Sequence, residues 1–181
     1  LPILAAGHET TASTLAWAFE RITRHPDILA SLAEEAGTDG NELRQATILE
    51  VQRARTVIDL AGRHIYPEAY RLGDWVVPRG HSIIVNIGQI HEDPEVFADP
   101  ERFDPGRYIG GKPSAFAWIP FGGGTRRCVG AAFANMEMDV VLRTVLRQFT
   151  IESTTAPGER RHCRGVAYTP KDGGRITVRR R

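Results

Sequence analysis

A glycine-rich loop that ends in a cysteine occupies residues 121–130, FGGGTRRCVG. The glycines permit tight turns and the close approach of a flat ligand, because no Cβ stands in the way. The apolar residues that follow recur at helical spacing: Val129, Phe133, Met136, Val140 and Val141. Cys128 is therefore expected beside a helix N-terminus, where N–H groups and the helix dipole favour a thiolate. The loop predicts a thiolate site for a metal cofactor.

The loop matches Phe-Gly-x-Gly-x-Arg-x-Cys-x-Gly at every fixed position and resembles the haem-binding loop of the cytochromes P-450. In that family the cysteine is the axial ligand of the haem iron. The resemblance, to a bacterial-like member, implies that Cys128 ligates the iron of haem b, iron protoporphyrin IX. It also implies that Phe121, Gly122 and Gly130 help to bind the cofactor. For a cysteine without such neighbours, a buried structural role is the alternative.

A second motif opens the chain, where residues 6–11, AGHETT, lead into an apolar helical pattern that ends before Pro26. The segment resembles the family's long central helix, in which an acid followed by a threonine supplies protons for oxygen activation. The resemblance gives that role to Glu9 and Thr10. A carboxyl group can shuttle protons, and a hydroxyl both donates and accepts hydrogen bonds. The alternative is that Thr10 bonds back to a helix carbonyl while Glu9 is solvated.

Glu50 and Arg53 share one face of a third predicted helix. An exposed pair at this spacing contributes only about 0.2–0.5 kcal/mol, so a surface pair is one interpretation. Its place between the two other motifs resembles the family's structural Glu-x-x-Arg, which a later arginine joins. The resemblance makes Arg102, in residues 100–103 (PERF), the expected third member, with Arg107 as the alternative.

Haem carries two propionates, which guanidinium groups bind well because they can grip a carboxylate at two points. The resemblance assigns this role to Arg126, two residues before the cysteine, and to Arg63. A solvated arginine in a turn is the alternative for Arg63. Many relatives place prolines shortly after the Glu-x-x-Arg motif, whereas residues 54–57 here are ARTV, which leaves the alignment of Arg63 open.

Two other kinds of site fit the sequence less well. His8 and His91 each precede a glutamate, as in zinc proteases, but Ala12 and Glu95 stand where the second histidine is required. A nucleotide phosphate on the glycine loop is a further possibility. No Gly-Lys-Ser/Thr follows those glycines, and a phosphate site has no need of a cysteine there.

Composition adds mainly exclusions. The formal net charge of +1 gives no strong basic field, so nucleic acid is not an expected partner. No run of about 18 apolar residues spans a bilayer, and no signal segment opens the chain. Two cysteines, with Cys163 in a passive position, suggest a reducing compartment, and we expect a cytoplasmic location. An upstream region, with or without a membrane anchor, is expected to be missing.

The predicted fold class is mainly α with small β-sheets (α+β), as in the C-terminal half of the cytochrome P-450 fold. Residues 1–181 are expected to form a single partial domain, from the distal helix through the cysteine loop to the terminal strands. The pattern predicts helices to about residue 24 and over 26–36, and a strand pair near 148–153 and 175–179. A hairpin is predicted in residues 70–87, with strands 75–77 and 83–85 around 78–80. Apolar faces meant for the absent half are expected to be exposed.

The resemblance implies a haem-thiolate monooxygenase that inserts one oxygen atom from dioxygen into a small, apolar organic substrate. The resemblance also implies that its electrons come from a ferredoxin or flavoprotein, and the chain has no nicotinamide fingerprint that would supply them directly. One alternative is a peroxygenase or isomerase of the same fold. Another is a truncated, catalytically inactive haem-binding fragment.

Overall fold

The computed structural model describes residues 2–111 and 113–181. The helices are α1 (Pro2–Ile22), α2 (Pro26–Ala36), α3 (Glu42–Ala54), α4 (Ile87–His91) and α5 (Ala131–Gln148). The strands are β1 (Leu60–His64), β2 (Ala69–Leu72), β3 (Trp75–Pro78), β4 (Ser82–Asn86), β5 (Phe149–Ile151), β6 (Arg161–Arg164), β7 (Ala167–Pro170) and β8 (Val178–Arg180). Two 3₁₀ turns, Pro105–Tyr108 and Gly124–Arg126, lie between α4 and α5. Helices with small two-stranded sheets confirm the predicted fold class.

Proline sets the boundary between the first two helices. Pro26 disfavours helical geometry at His25, so α1 ends at Ile22 and a new helix starts at Pro26 itself. The buried residues of α2 are Leu29, Leu32 and Ala36, which lie on one face. None of the described helices is long and apolar enough to cross a membrane.

The main core lies where α1, α3 and α5 meet. Trp17, Ile48 and Leu142, one from each helix, are at most 1% exposed and belong to one apolar cluster. The indole N–H of Trp17 donates to the carbonyl of Tyr168 at 2.9 Å, which joins β7 to this cluster. The helices therefore form the body of the fold, with the small sheets attached to it.

Of the four strands between α3 and α4, β3 and β4 lie where the sequence predicts strands, but their pairing differs from the prediction. β2 pairs with β3, whereas β4 pairs with β1, so the expected hairpin of 75–77 with 83–85 is wrong. Gly73 is the first central residue of the turn between β2 and β3, and its φ is 57°. A type II′ hairpin turn requires a positive φ at this position, so Gly73 explains why β2 pairs with β3. Ile65 then donates to the carbonyl of His81 at 2.9 Å, which extends the β1–β4 ladder instead.

The end of the chain contains the predicted strand pair, β5 with β8, which is confirmed. A second pair, β6 with β7, was not predicted. Between these strands Gly174 adopts φ +66°, and a Cβ there would come within 2.8 Å of the carbonyl oxygen of Ala16. Only glycine lets the chain pass this close to α1.

Helix α5 has two apolar faces, and only one is covered. Met138, Leu142 and Leu146 are at most 2% exposed. The spacing that predicted the helix belongs to the other face, where Phe133, Met136 and Val140 are 55–63% exposed. The prediction of apolar surface left open is thus confirmed on this helix.

The two faces should respond differently to truncation. Leu142→Ala is expected to lower the free energy of unfolding by about 2–5 kcal/mol, because it opens a cavity in the core. Val140→Ala, two residues earlier on the open face, should change it by less than about 0.5 kcal/mol. Urea unfolding followed by circular dichroism measures both, and equal losses would show that the open face is covered in solution.

Candidate functional site

The cysteine loop is closed by its own backbone. The amide of Cys128 donates to the carbonyl of Phe121 at 2.9 Å, and that of Gly122 donates to the carbonyl of Ile119 at 2.9 Å. Gly122 and Gly124 have φ of +67° and +64°, which side chains with a Cβ rarely adopt. The glycines are thus required by the turn that brings Cys128 to the end of the loop.

The face of the loop is open. Cys128 is exposed, and a Cβ added at Gly122, Gly123 or Gly124 would meet nothing within 4 Å. At Gly130 an added Cβ would lie 3.9 Å from the Cys128 sulfur, so this glycine borders the thiol. A flat ligand can therefore approach the sulfur without meeting side chains of the loop.

Exposed apolar residues and one of the two predicted cations, Arg126, lie in the loop or directly after it. Val129 is 97% exposed and Phe133 is 63% exposed, directly after the cysteine and in the first turn of α5. Arg126 is exposed in the 3₁₀ turn of the loop. Arg63 is exposed on β1, in a strand rather than a turn, and donates to the carbonyl of Gly62 at 2.8 Å. Within residues 2–111 and 113–181, both guanidinium groups are exposed and neither is held in an ion pair.

Glu9 and Thr10 lie on α1, away from the described contacts of the cysteine loop. The hydroxyl of Thr10 donates to the carbonyl of Ala6 at 2.7 Å, which is the back-bonded alternative. Glu9 is half-exposed, with an oxygen 3.7 Å from Nε of Arg164. In residues 2–111 and 113–181, no hydrogen bond or ion pair joins Glu9 or Thr10 to residues 121–130.

Glu50 and Arg53 form an ion pair with both side chains 0% exposed. Two parallel hydrogen bonds of 2.7 and 2.8 Å join guanidinium and carboxylate. The carboxylate also accepts from the amide of Asp104 at 2.9 Å, while Arg53 donates to the carbonyl of His91 at 2.8 Å. Burial opposes the charge, but the Glu50 carboxylate raises the pKa of Arg53 above its usual value. The pair is thus a buried structural link, not a surface pair.

Arg107, rather than Arg102, approaches this pair through its side chain, which corrects the predicted third member. The guanidinium of Arg102 is 69% exposed and lies 3.5 Å from Asp104. Only its carbonyl reaches Arg53, at 3.4 Å. Nε of Arg107 lies 3.6 Å from Glu50, with the side chain 15% exposed. The 3₁₀ turn Pro105–Tyr108 carries Arg107 inward, a backbone feature that the sequence alone did not indicate.

The sequence offers His91 only as a candidate zinc ligand, and its place beside this network was not predicted. The ring is 0% exposed, and its nitrogens contact Thr56 Oγ1 at 2.7 Å and the amide of Ile119 at 3.0 Å. Burial, and then the charge of Arg53, lower the pKa of His91 to about 4. The imidazole is therefore neutral at physiological pH. The sequence around His91, which is followed by Glu92, gave no sign that the ring is buried.

The buried pair gives a direct stability prediction. Arg53→Met should lower the free energy of unfolding by about 3–5 kcal/mol, because the Glu50 charge is left buried without its partner. The matched variant Arg102→Met removes an exposed guanidinium and should cost less than about 0.5 kcal/mol. Urea unfolding distinguishes the two. A large loss for Arg102→Met with little for Arg53→Met would contradict the observed network.

The neutral imidazole gives a pH prediction. The pKa of His91 is about 4 in the fold and near the ordinary 6.5 in an unfolded chain. Between these values the unfolded chain binds more protons, so stability falls as pH drops from about 6.5 to 4. The contribution is about 3 kcal/mol over that window. Unfolding free energies measured at several pH values should fall less steeply with acid in His91→Gln than in the wild-type chain. The same fall in both proteins would contradict the assignment of this pH dependence to His91.

Comparison with known sequences matches the chain to a family. The family model described as Cytochrome P450 matches residues 1–174. The chain is 75% identical over 181 residues to "Putative cytochrome P450 138" of Mycobacterium tuberculosis, of which it covers 41%. It is 42% identical over 185 residues to "Putative cytochrome P450 135B1" of the same organism, covering 99% of this chain and 39% of that protein. The chain thus spans about two-fifths of the length of these curated relatives.

Solved structures agree over nearly the whole chain. A retinoic acid-bound cyanobacterial CYP120A1 superposes with a TM-score of 0.85 at 28% identity, over 99% of this chain and 45% of that one. A 6-coordinated cytochrome P450 from Thermus thermophilus superposes with a TM-score of 0.82 at 30% identity, over 99% of this chain and 46% of that one. The fold described above is therefore part of a larger fold. With its cysteine loop, its buried Glu50–Arg53 pair and this agreement, the chain belongs to the cytochrome P450 family.

Proposed function

We propose that the chain is the haem-binding part of a haem-thiolate monooxygenase, with Cys128 as the axial iron ligand. The observation that carries the proposal is the geometry of residues 121–130. The Cys128 amide is fixed to Phe121 while its sulfur stays accessible on a face that the glycines leave clear. A thiolate beside a helix N-terminus, on an open face, suits a flat metal cofactor.

The surroundings of the sulfur fit haem on chemical grounds. A porphyrin is flat and apolar with two carboxylates at one edge, and an open face of glycine backbone with exposed Val129 and Phe133 complements it. Phe121, Gly122 and Gly130 would lie against the ring. The exposed guanidinium of Arg126, with Arg63 as a second candidate, would bind the propionates in two-point fashion.

Haem held by the Cys128 thiolate would supply the activation of dioxygen. The protein's own part in the reaction is proton transfer, which we assign to Glu9 and Thr10. The Thr10 hydroxyl donates to Ala6, so its oxygen lone pairs remain able to accept a hydrogen bond. The half-exposed Glu9 carboxyl can exchange its proton with water and so replace the one passed on.

The buried Glu50–Arg53 pair would support the loop without touching the cofactor. Arg107 approaches Glu50 and so takes the third position in this network. We further propose a ferredoxin or flavoprotein as electron donor and a small apolar organic molecule as substrate. A peroxygenase or isomerase of the same fold is the alternative, and the acid-threonine pair favours the dioxygen-dependent reaction.

The test is the absorption spectrum of the purified chain supplied with haem, reduced and exposed to carbon monoxide. A red-shifted, thiolate-type Soret band is expected, and Cys128→Ser should abolish it, because a hydroxyl cannot replace the thiolate ligand. Cys163→Ser is the matched control, since this second exposed cysteine lies on β6 and should leave the band unchanged.

Two results would overturn the assignment. A band that survives Cys128→Ser would exclude Cys128 as the ligand. Absence of the band in the wild-type chain would mean that this part of the fold does not form the thiolate site, which favours the inactive-fragment alternative.

A further inference from the structure

His91 lies where three separate segments of the chain meet. It is the last residue of α4 and is 0% exposed. Its Nδ1 lies 2.7 Å from the hydroxyl of Thr56, just after α3. Its Nε2 lies 3.0 Å from the amide nitrogen of Ile119, just before the cysteine loop. Its own carbonyl accepts a hydrogen bond from Arg53 at 2.8 Å. Backbone and ring of this residue therefore bind different parts of the fold.

The partners fix the protonation state of the ring. A backbone amide can only donate, so Nε2 must accept from Ile119 and cannot carry a hydrogen. Nδ1 must then carry the hydrogen and donate it to Thr56 Oγ1. The Thr56 hydroxyl has its own acceptors, the carbonyls of Gln52 at 2.9 Å and Arg53 at 3.0 Å. Every donor meets an acceptor only if His91 is the neutral Nδ1–H tautomer.

The hydrogen bond to Ile119 leads directly to the cysteine. The carbonyl of Ile119 accepts from the amide of Gly122, and the carbonyl of Phe121 accepts from the amide of Cys128, each at 2.9 Å. Ile119 therefore begins the turn that Cys128 closes. Because His91 holds the Ile119 amide, it restricts the first residue of this turn against the body of the fold.

The opposite side of His91 belongs to the buried ion pair. Arg53 is fixed by Glu50 through two hydrogen bonds and passes a third to the His91 carbonyl. The ion pair makes no direct hydrogen bond to residues 119–130 in the described part of the chain. His91 therefore joins the ion pair to the start of the cysteine loop by hydrogen bonds on both sides, through its carbonyl to Arg53 and through its ring to Ile119.

We propose that His91 is a positioning residue for the cysteine loop, acting through the hydrogen bond from the Ile119 amide to its Nε2. The claim about the loop stands on these contacts alone. Its consequence for the iron ligand rests on the proposed haem-thiolate function. No contact of His91 with cofactor or substrate is required.

Two substitutions distinguish the hydrogen bond made by Nε2 from the one made by Nδ1. In His91→Gln the side-chain oxygen can occupy the position of Nε2 and accept from Ile119, while the bond to Thr56 is lost. In His91→Asn the shorter amide can reach Thr56 but leaves the Ile119 amide unpaired. Both variants remove one buried hydrogen bond and so should lose similar overall stability.

Hydrogen exchange of the cofactor-free chain reports the difference at individual amides. We expect the amides of Ile119, Gly122 and Cys128 to exchange about tenfold faster in His91→Asn than in His91→Gln. Amides of the α1 and α5 core should shift equally in the two variants. Equal protection of the three loop amides in both variants, whether kept or lost, would overturn the proposal.

The wild-type protein provides a test that does not depend on a variant folding. Nitrogen-15 chemical shifts of the His91 ring should identify the neutral tautomer with hydrogen on Nδ1 and an unprotonated, hydrogen-bonded Nε2. A ring that carries its hydrogen on Nε2 would contradict the geometry and with it the proposal.

Adding haem then tests the positioning role of His91 separately from the proposed haem-thiolate function. If the wild-type chain gives the thiolate-type Soret band, His91→Asn should show a smaller fraction of it than His91→Gln. Equal fractions of the band in the two variants would overturn the proposed effect of His91 on the position of the iron ligand Cys128. If the wild-type chain gives no such band, the proposed function fails in this chain, while the exchange and tautomer measurements still decide whether His91 positions the loop.

Discussion

The buried pair of Glu50 and Arg53 is the interaction on which the irregular segment between α4 and α5 depends. Removing two charges from water is costly, and the pair is tolerated only because further hydrogen bonds satisfy both groups. Those bonds come from backbone: the amide of Asp104 and the carbonyls of His91 and Arg102. Between α4 and α5 the described residues form only short 3₁₀ turns as regular structure, so no longer helix or strand ladder holds them in place. The charges of α3 supply fixed points to which this segment is attached, and the cysteine loop lies at its end.

The elements that the sequence predicts correctly are those with a local determinant. The start of α2 follows from Pro26, which ends one helix and begins the next. Strand partners are not local, and β4 was assigned to the wrong neighbour because pairing depends on Gly73 and on the extension of β1 at Ile65. The prediction of Arg102, rather than Arg107, as the third member of the Glu50–Arg53 network failed for the same reason. Which arginine faces Glu50 is decided by the backbone of an irregular turn, and residue spacing does not encode that direction.

A second buried acid shows the same limit. Glu20 on α1 is 0% exposed and is paired with Arg21 and Arg24, and it accepts from the amide of Glu159 at 2.8 Å. Burial alone would raise the pKa of Glu20, but hydrogen bonds from Arg21 and Glu159 and the charges of both arginines lower it. Nothing in the residues around position 20 distinguishes this acid from a solvated one. The distinguishing partner lies near the other end of the chain, where it attaches the segment before β6 to α1.

The candidate site and its support differ in exposure, and the difference has a physical basis. In the loop Cys128, Gly123, Gly124 and Arg126 are exposed, whereas Glu50, Arg53 and His91, which hold it, are buried. A site that must admit a flat ligand cannot fill its own face with side chains. Its rigidity must therefore come from buried residues on the opposite side of the loop. A charged group in that position would carry its own cost of burial, but a neutral imidazole can accept a hydrogen bond beside Arg53 without a second charge. Burial first, and the charge of Arg53 second, lower the pKa of His91, so the guanidinium that donates to its carbonyl also helps to keep its ring neutral.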